Sequence, residues 1–358
     1  NEIYNYKIDT ETRSLEKFYK SVQIRCKDVV TSAGRQKLIV ELYDRFFRKA
    51  FPLMTQKLGL VYTPIEVVDF IINSTEYLMN SEFQSSLSNE NVNILDPFTG
   101  TGTFISRLLQ SGIFSIEQLK QKFNSEIHAN EIILLAYYIA CINIESVYSD
   151  LVSEDSYTSF KGIVLTDTFQ MYEQERDMIA NLLPDNSKRR TNQKNKKFSV
   201  ILGNPPYSVG QKSSNDDAKN NEYTNLDARI NETYVSLSKA TNKRALYDSY
   251  IRAFRWASDR IQDEGIIGFV SGGAWIDRQF GDGMRLCLKN EFSKIYVLNL
   301  RGDIRKNMMS KGAAGEGENI FGQGSMNGIS ITFLVKKEKN DDCQIYYADI
   351  GDNLKIDQ

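Results

Sequence analysis

The chain has 358 residues, 41% of them hydrophobic and 25% charged, a globular composition that supplies one large α/β domain or two smaller ones and excludes wholesale disorder. Its 44 basic and 46 acidic residues leave a net charge of −2, so any nucleic-acid surface has to be local. No run of about 18 apolar residues is present to cross a membrane as a helix. The first residues, Asn1-Glu2-Ile3-Tyr4, have neither a signal pattern nor an initiator Met, which points to a piece cut from a longer polypeptide.

Residues 1–58 read as helical. From Arg35 to Phe51 the apolar positions Leu38, Ile39, Leu42, Tyr43, Phe46, Phe47 and Ala50 recur at helical spacing, and Pro52 stops or bends that run. Thr63-Pro64 opens a second helix, with proline at its first position and Val67, Val68, Phe70, Ile71 and Ile72 following. Ser81–Asn91 is polar and reads as a surface loop. Strands and helices then alternate: strand Val92–Leu95, helix Thr103–Gln110, strand Glu126–Ala129, helix Ile132–Ile144, and strands Gly162–Leu165 and Phe198–Leu202. Helix Ala245–Ile261, strand Gly265–Val270, helix Arg278–Asn290 and strands Lys294–Leu300 and Ile329–Val335 complete the pattern. It predicts a mostly parallel sheet covered on both faces.

Three polar insertions interrupt it. Tyr172–Lys197 carries the basic residues Lys188-Arg189-Arg190, Lys194, Lys196 and Lys197, and its part Lys188–Lys197 reads as a flexible loop. Ser208–Lys243 is rich in Asn, Ser and Asp, and Gly302–Gly328 is rich in Gly. All three follow strands. Ligands of such sheets gather at the carboxyl ends of strands, so the insertions are expected to surround a site.

Asp96-Pro97-Phe98-Thr99-Gly100-Thr101-Gly102 ends a strand and leads into a helix N-terminus at Thr103, the arrangement of a loop that holds a nucleotide-type cofactor. A dinucleotide dehydrogenase fits poorly. The third glycine of its fingerprint is missing, with Phe104 near that place, and Asp96 has the wrong charge for a pyrophosphate. A carboxylate there suits a cationic ligand, such as the amino group of a methionine moiety. After the next two strands, Glu131 is placed to accept hydrogen bonds from ribose hydroxyls and Asp167 from an exocyclic adenine amine. Asn204-Pro205-Pro206-Tyr207 follows the apolar strand Val200-Ile201-Leu202. Asn before Pro is by itself a turn signal. At a strand end it offers more. A conjugated aromatic amine is a weak nucleophile, and two acceptors on its protons, the Asn204 side-chain oxygen and the Pro205 carbonyl, would reduce the conjugation and hold the nitrogen in line. The double proline stiffens that backbone, and Tyr207 offers a face for a base removed from a duplex. Positioning carries such a reaction, with no metal and no covalent nucleophile. The single histidine, His128, disfavours Ser-His-Asp chemistry. The widely spaced Cys26, Cys141, Cys287 and Cys343 disfavour a structural zinc site and fit a reducing, cytosolic compartment.

The order Tyr62-Thr63-Pro64, Asp96–Phe104, Thr166-Asp167-Thr168-Phe169 and Asn204–Tyr207 resembles the gamma-class amino-methyltransferases of DNA. The stretches Gly34–Ile71, His128–Glu145, Gly162–Gln170 and Ile295–Lys306, and Glu318-Asn319-Ile320-Phe321 followed by Gly328–Lys337, carry a closer resemblance. They are similar to the methyltransferase part of type ISP restriction–modification enzymes, single polypeptides with nuclease, helicase-like motor, methyltransferase and target-recognition regions. The resemblance implies a Rossmann-like, S-adenosyl-L-methionine-dependent methyltransferase fold of the α/β class, with a seven-stranded mixed sheet preceded by a helical segment. It implies that Thr63 and Pro64 lie near the methionine carboxylate. Asp96, Thr99, Gly100 and Thr103 would form the donor loop, within a motif that Pro97, Phe98 and Gly102 complete. Glu131 would hold the ribose, Asp167 the adenine, and Asn204, Pro205 and Tyr207 the target adenine. Phe333 would be either a second stacking face or a core strand residue. The implied division is a helical coupler at 1–58, a catalytic domain at 59–340 and the start of a target-recognition region at 341–358. No GxxxxGK[ST] motif occurs, so the motor and nuclease are expected elsewhere on the same polypeptide. The implied reaction is methyl transfer to adenine N6 in DNA, in a prokaryotic cytoplasm, without membrane or metal. Asn-Pro-Pro-Tyr is also found in enzymes that methylate RNA or protein glutamine, and a silent methyltransferase fold that gates a nuclease is a further reading. One departure stands out: Ser271-Gly272-Gly273 occupies a turn where relatives carry bulkier polar residues, often Asn.

Overall fold

Thr63-Pro64 opens the part of the chain that the computed structural model describes: residues 63–153, 157–173, 183–206, 223–261, 263–312, 314–322, 327–337 and 342–356. The helical segment expected at 1–58 lies outside the described residues, as does Tyr207. Helix α1 (Ile65–Phe83) starts directly after Pro64 and buries Val68, Ile71, Ile72, Leu78 and Met79, positions spaced for one helical face. Next come β1 (Ile94–Asp96), α2 (Thr103–Gln110), α3 (Ile116–Gln121), β2 (Ile127–Glu131), α4 (Leu134–Val152) and β3 (Ile163–Leu165). Helix α5 (Pro184–Lys194) leads to β4 (Val200–Gly203), α6 (Thr224–Ile230), α7 (Ser249–Arg260) and β5 (Gly265–Gly272). Helix α8 (Asp282–Glu291), β6 (Lys294–Asn299), α9 (Ile304–Met309), β7 (Ile329–Lys336) and β8 (Gln344–Asp349) follow.

The strands form one sheet in the order β3-β2-β1-β4-β5-β7-β6-β8. All neighbours are parallel except the two pairs made by β7, which is antiparallel to β5 and β6. The chain steps outward from β1 to β3, then restarts at β4 on the other side of β1. The β1–β4 boundary is therefore the topological switch point, where open α/β sheets hold their ligands. Alternate side chains of β4 enter opposite cores. Val200 and Leu202 pack with residues of α1, α2 and α4, while Ile201 packs with residues of α6, α7 and α8. Burial on both faces is why these strands read as continuous apolar runs.

Two features differ from the expectations above. The sheet has eight strands rather than seven. The additional one, β8, falls in the stretch 341–358 and pairs with β6 from Lys294–Gln344 to Asn299–Asp349. All six of its residues are exposed, so it lacks the buried apolar face by which a strand shows in a sequence. It is held by Tyr346 stacked on Tyr296, ring centroids 4.7 Å apart, and by an ion pair of Asp349 with Arg301 at 2.7 Å. The second difference concerns the basic run at 188–197. Most of it is helical, in α5, and it lies on the edge strand β3. The Asn186 side chain accepts from the Leu165 amide at 2.8 Å and donates to the Leu165 carbonyl at 3.0 Å. Arg189 Nε donates to the Ile163 carbonyl at 3.2 Å. These side chains stand in for the strand that an edge lacks.

Candidate active site

The carboxyl ends of β1 to β4 lie side by side, and each delivers a residue singled out from the sequence. Asp96 ends β1, Glu131 ends β2, Asp167 stands two residues beyond β3, and Asn204 follows β4 directly. Asp96 is 1% exposed. Its Oδ1 accepts from the Phe98 amide at 3.0 Å, whereas its Oδ2 is buried with no partner. Burial pushes this carboxyl up to about 8; the Phe98 amide opposes the rise and the charge of Glu131 adds to it. Glu131 is 5% exposed and accepts from the Gly100 amide at 2.8 Å and the Ile133 amide at 2.7 Å. Burial raises it to about 7 against the amides of Ile133, Gly100 and Ile132. Two buried carboxyls at the ends of neighbouring strands are costly when ionised and unpaired. The pair suits a ligand that brings a positive charge and hydroxyl donors.

The loop between them is fixed by its own backbone. The Thr99 amide donates to the Asn130 carbonyl at 3.0 Å, and the Gly102 amide to the Thr99 carbonyl at 2.9 Å. Thr99 Oγ1 donates to the Asp96 carbonyl at 3.0 Å. Gly102 has φ 85, the left-handed region, and an added Cβ would stand 3.1 Å from the Ile144 side chain and 3.2 Å from the Ala140 Cα of α4. Glycine is what lets the turn close against that helix. Thr103, the first residue of α2, is buried. The Pro97 carbonyl accepts from Thr168 Oγ1 at 2.6 Å. The Phe98 ring lies 5.5 Å from that of Phe169 and 6.3 Å from that of Phe269.

Asp167 accepts from the Phe169 amide at 2.9 Å through Oδ1 and from the Tyr223 hydroxyl at 2.8 Å through Oδ2. Asn204 Nδ2 donates to Thr63 Oγ1 at 2.9 Å. Pro205 is buried and Pro206 half-buried. The two motifs meet at Gly203, where an added Cβ would come within 3.1 Å of Asp96 Oδ1. The structure thus brings together Thr63, the loop from Asp96 to Thr103, Glu131, Asp167 and Asn204-Pro205-Pro206. Phe333 does not join them. It sits in mid-strand opposite Gly268, 5% exposed, its ring 6.3 Å from Phe70, as a core residue. At Ser271-Gly272-Gly273 the Gly273 amide donates to the Gly328 carbonyl at 2.7 Å, which ties the end of β5 to the start of β7.

Two residues of the site carried no assigned role in the sequence. Tyr223 holds Asp167, and its own ring lies under the Arg252 guanidinium at 5.2 Å. Asn130 is fully buried and donates to Thr168 Oγ1 at 3.2 Å, which links β2, Thr168 and the Pro97 carbonyl. Asn130 left a signal: it is a polar residue inside a buried strand, next to Glu131. Tyr223 left none, because its partner is 56 residues away.

Comparison with known proteins places this geometry in a family. The profile of N-6 DNA methylases matches residues 35–241. The ATP-dependent type ISP restriction–modification enzyme LlaBIII, solved bound to DNA, is 46% identical with a TM-score of 0.87 over 97% of this chain and 24% of that enzyme. A nuclease-deletion mutant of the type ISP enzyme LlaGI, solved with a DNA substrate mimic, is 43% identical with a TM-score of 0.86, over 99% of this chain and 28% of that one. The DrdV–DNA complex gives 35% identity and a TM-score of 0.89, over 99% of this chain and 34% of that one. The chain thus spans about a quarter to a third of the length of these enzymes. No curated protein matches it. The profile match over more than half of its length makes the chain a member of the N-6 DNA methylase family.

Proposed function

We propose that the chain transfers a methyl group from S-adenosyl-L-methionine to the N6 amine of an adenine flipped out of DNA, as the modification part of a restriction–modification enzyme. The observation that carries this reading is the meeting at Gly203 of a buried acidic loop and an Asn-Pro-Pro turn, at the sheet's switch point. The residues fit the donor. Asp96 Oδ2 is a buried acceptor without a partner, suited to the donor's ammonium. Glu131 would take the ribose hydroxyls. Asp167, steadied by Tyr223, would take the adenine amine. Gly100 has nothing within 4 Å of where a Cβ would stand, so a ligand can approach its backbone.

When bound, the donor supplies an electrophilic methyl carbon. The chain's own residues do the rest. The Asn204 side-chain oxygen and the Pro205 carbonyl accept hydrogen bonds from the two N–H groups of the target amine, which keeps its lone pair out of the ring and directs it at that carbon; the nitrogen sheds one of these protons once it is methylated. The two prolines keep this backbone from swinging away, and Tyr207 gives the flipped base a stacking face. Orientation of this kind is worth several powers of ten in rate. The similar enzymes include an ATP-dependent one and one solved as a nuclease deletion, both with DNA. They support DNA as the partner and a larger polypeptide; nuclease and helicase-like regions on that polypeptide, and a prokaryotic cytoplasmic setting, belong to the same proposal.

Labelled-methyl transfer to DNA, RNA and protein, measured side by side with the enzyme, tests the substrate class. The expected result is label in DNA alone. Label in RNA or in protein glutamine would overturn the choice of substrate. Donor binding with no transfer to any of the three would favour a silent fold.

A further inference from the structure

Thr63 and Asn204 are 141 residues apart, and one side-chain hydrogen bond joins them. Each precedes a proline, Pro64 and Pro205. A following proline ring excludes the helical backbone region and confines its neighbour to extended conformations. Neither partner can therefore swing freely about its own backbone. Thr63 is also 6% exposed and β-branched, which restricts its χ1. In the bond observed, the Thr63 hydroxyl oxygen is the acceptor and the Asn204 amide nitrogen the donor.

An asparagine amide has a donor end and an acceptor end that exchange on a half-turn of the terminal torsion, with almost no change of shape. Holding an amine for methylation requires the acceptor end. With Nδ2 donating to Thr63 Oγ1 at 2.9 Å, covalent geometry turns Oδ1 to the other side of the amide. We propose that Thr63 is a positioning residue: its hydroxyl holds the Asn204 amide in the orientation that offers the carbonyl oxygen to the target amine. The inference rests on the role given to Asn204 above and adds the residue that fixes its orientation. It assigns to Thr63 a task in the transfer step, beside any contact with the donor.

The test compares Thr63→Val, which removes the hydroxyl at nearly constant shape, with Thr63→Ser, which keeps it. Donor affinity is read by calorimetry, and the transfer rate by single-turnover labelled-methyl transfer to DNA. The valine variant is expected to lose roughly tenfold to a hundredfold in transfer rate at saturating donor, so that any change in donor affinity does not account for the loss. The serine variant should recover most of the rate. Thr63→Ala removes the same hydroxyl without adding a methyl group and carries the test if the valine variant does not fold. A valine variant as fast as wild type overturns the inference, as does a loss confined to donor affinity or a serine variant no better than valine. An Asn204→Ala variant run in parallel separates the two claims. If it still methylates, the role of Asn204 fails. If it is inactive while Thr63→Val is normal, only the role of Thr63 fails.

Discussion

Asp96 and Glu131 are carboxyls that burial drives toward their neutral forms, whereas the donor proposed for them calls for their charge. Asp96 rises from an ordinary 3.8 to about 8 and Glu131 from 4.5 to about 7. A carboxyl with a raised folded pKa stabilises the fold fully below its ordinary value and loses that contribution as pH climbs through the folded value. The donor-free protein should therefore lose stability from about pH 4 to about pH 8. A cationic donor favours the ionised forms, so its affinity should rise over the same window and its binding at neutral pH should release protons. Calorimetry in buffers of different ionisation enthalpy measures that release. Proton uptake, or no change, would contradict the assignment of these residues to the donor. Asp96→Asn should abolish part of the release and weaken binding roughly tenfold, the loss of a charge-assisted bond of about 1.5–3 kcal/mol. These carboxylates were legible because each stands at a strand end, in the order Gly-rich loop and then acid. Two other contacts of the site were not: Thr63 with Asn204 and Asp167 with Tyr223 join distant segments, which no local spacing encodes.

Among the elements, α5 shows how a helix can exist without an apolar face. Its sequence, Pro184-Asp-Asn-Ser-Lys-Arg-Arg-Thr-Asn-Gln-Lys194, has no hydrophobic stripe, and a search for periodicity reads it as a loop. Its stability comes instead from side chains that pair with β3. Asn186 is 4% exposed and satisfies both backbone groups of Leu165. Asn186→Ala leaves a buried donor and acceptor unpaired, which should cost about 1–3 kcal/mol in denaturant unfolding. A loss below about 0.5 kcal/mol would show that water replaces the amide and that the edge is not sealed as described. Arg189 and Arg190 are tied to Ile163, Tyr137 and Thr166. Their loss should lower stability more than DNA affinity, the reverse of what a free basic arm would show. The strands at the centre of the sheet were easier to read, because burial on both faces leaves an unbroken apolar run such as Val200-Ile201-Leu202.

Across the whole molecule, the alternation of strands and helices foretold a mostly parallel sheet, and the motif order named strand ends that the structure sets side by side. The exposed β8 was missed because a strand with no buried face has no apolar pattern to find. On the proposed function, the Asn204 turn, held against the Asp96 loop, methylates adenine at N6. The most direct measurement is to incubate DNA with the enzyme and S-adenosyl-L-methionine, digest it to nucleosides and identify the methylated base by mass and retention, for wild type and for Asn204→Ala. The account predicts N6-methyladenine from wild type and a loss of at least about a thousandfold in the variant, with donor affinity within about threefold of wild type. Methylated cytosine, methylation of RNA in preference to DNA, or N6-methyladenine formed by Asn204→Ala at near the wild-type rate would contradict it.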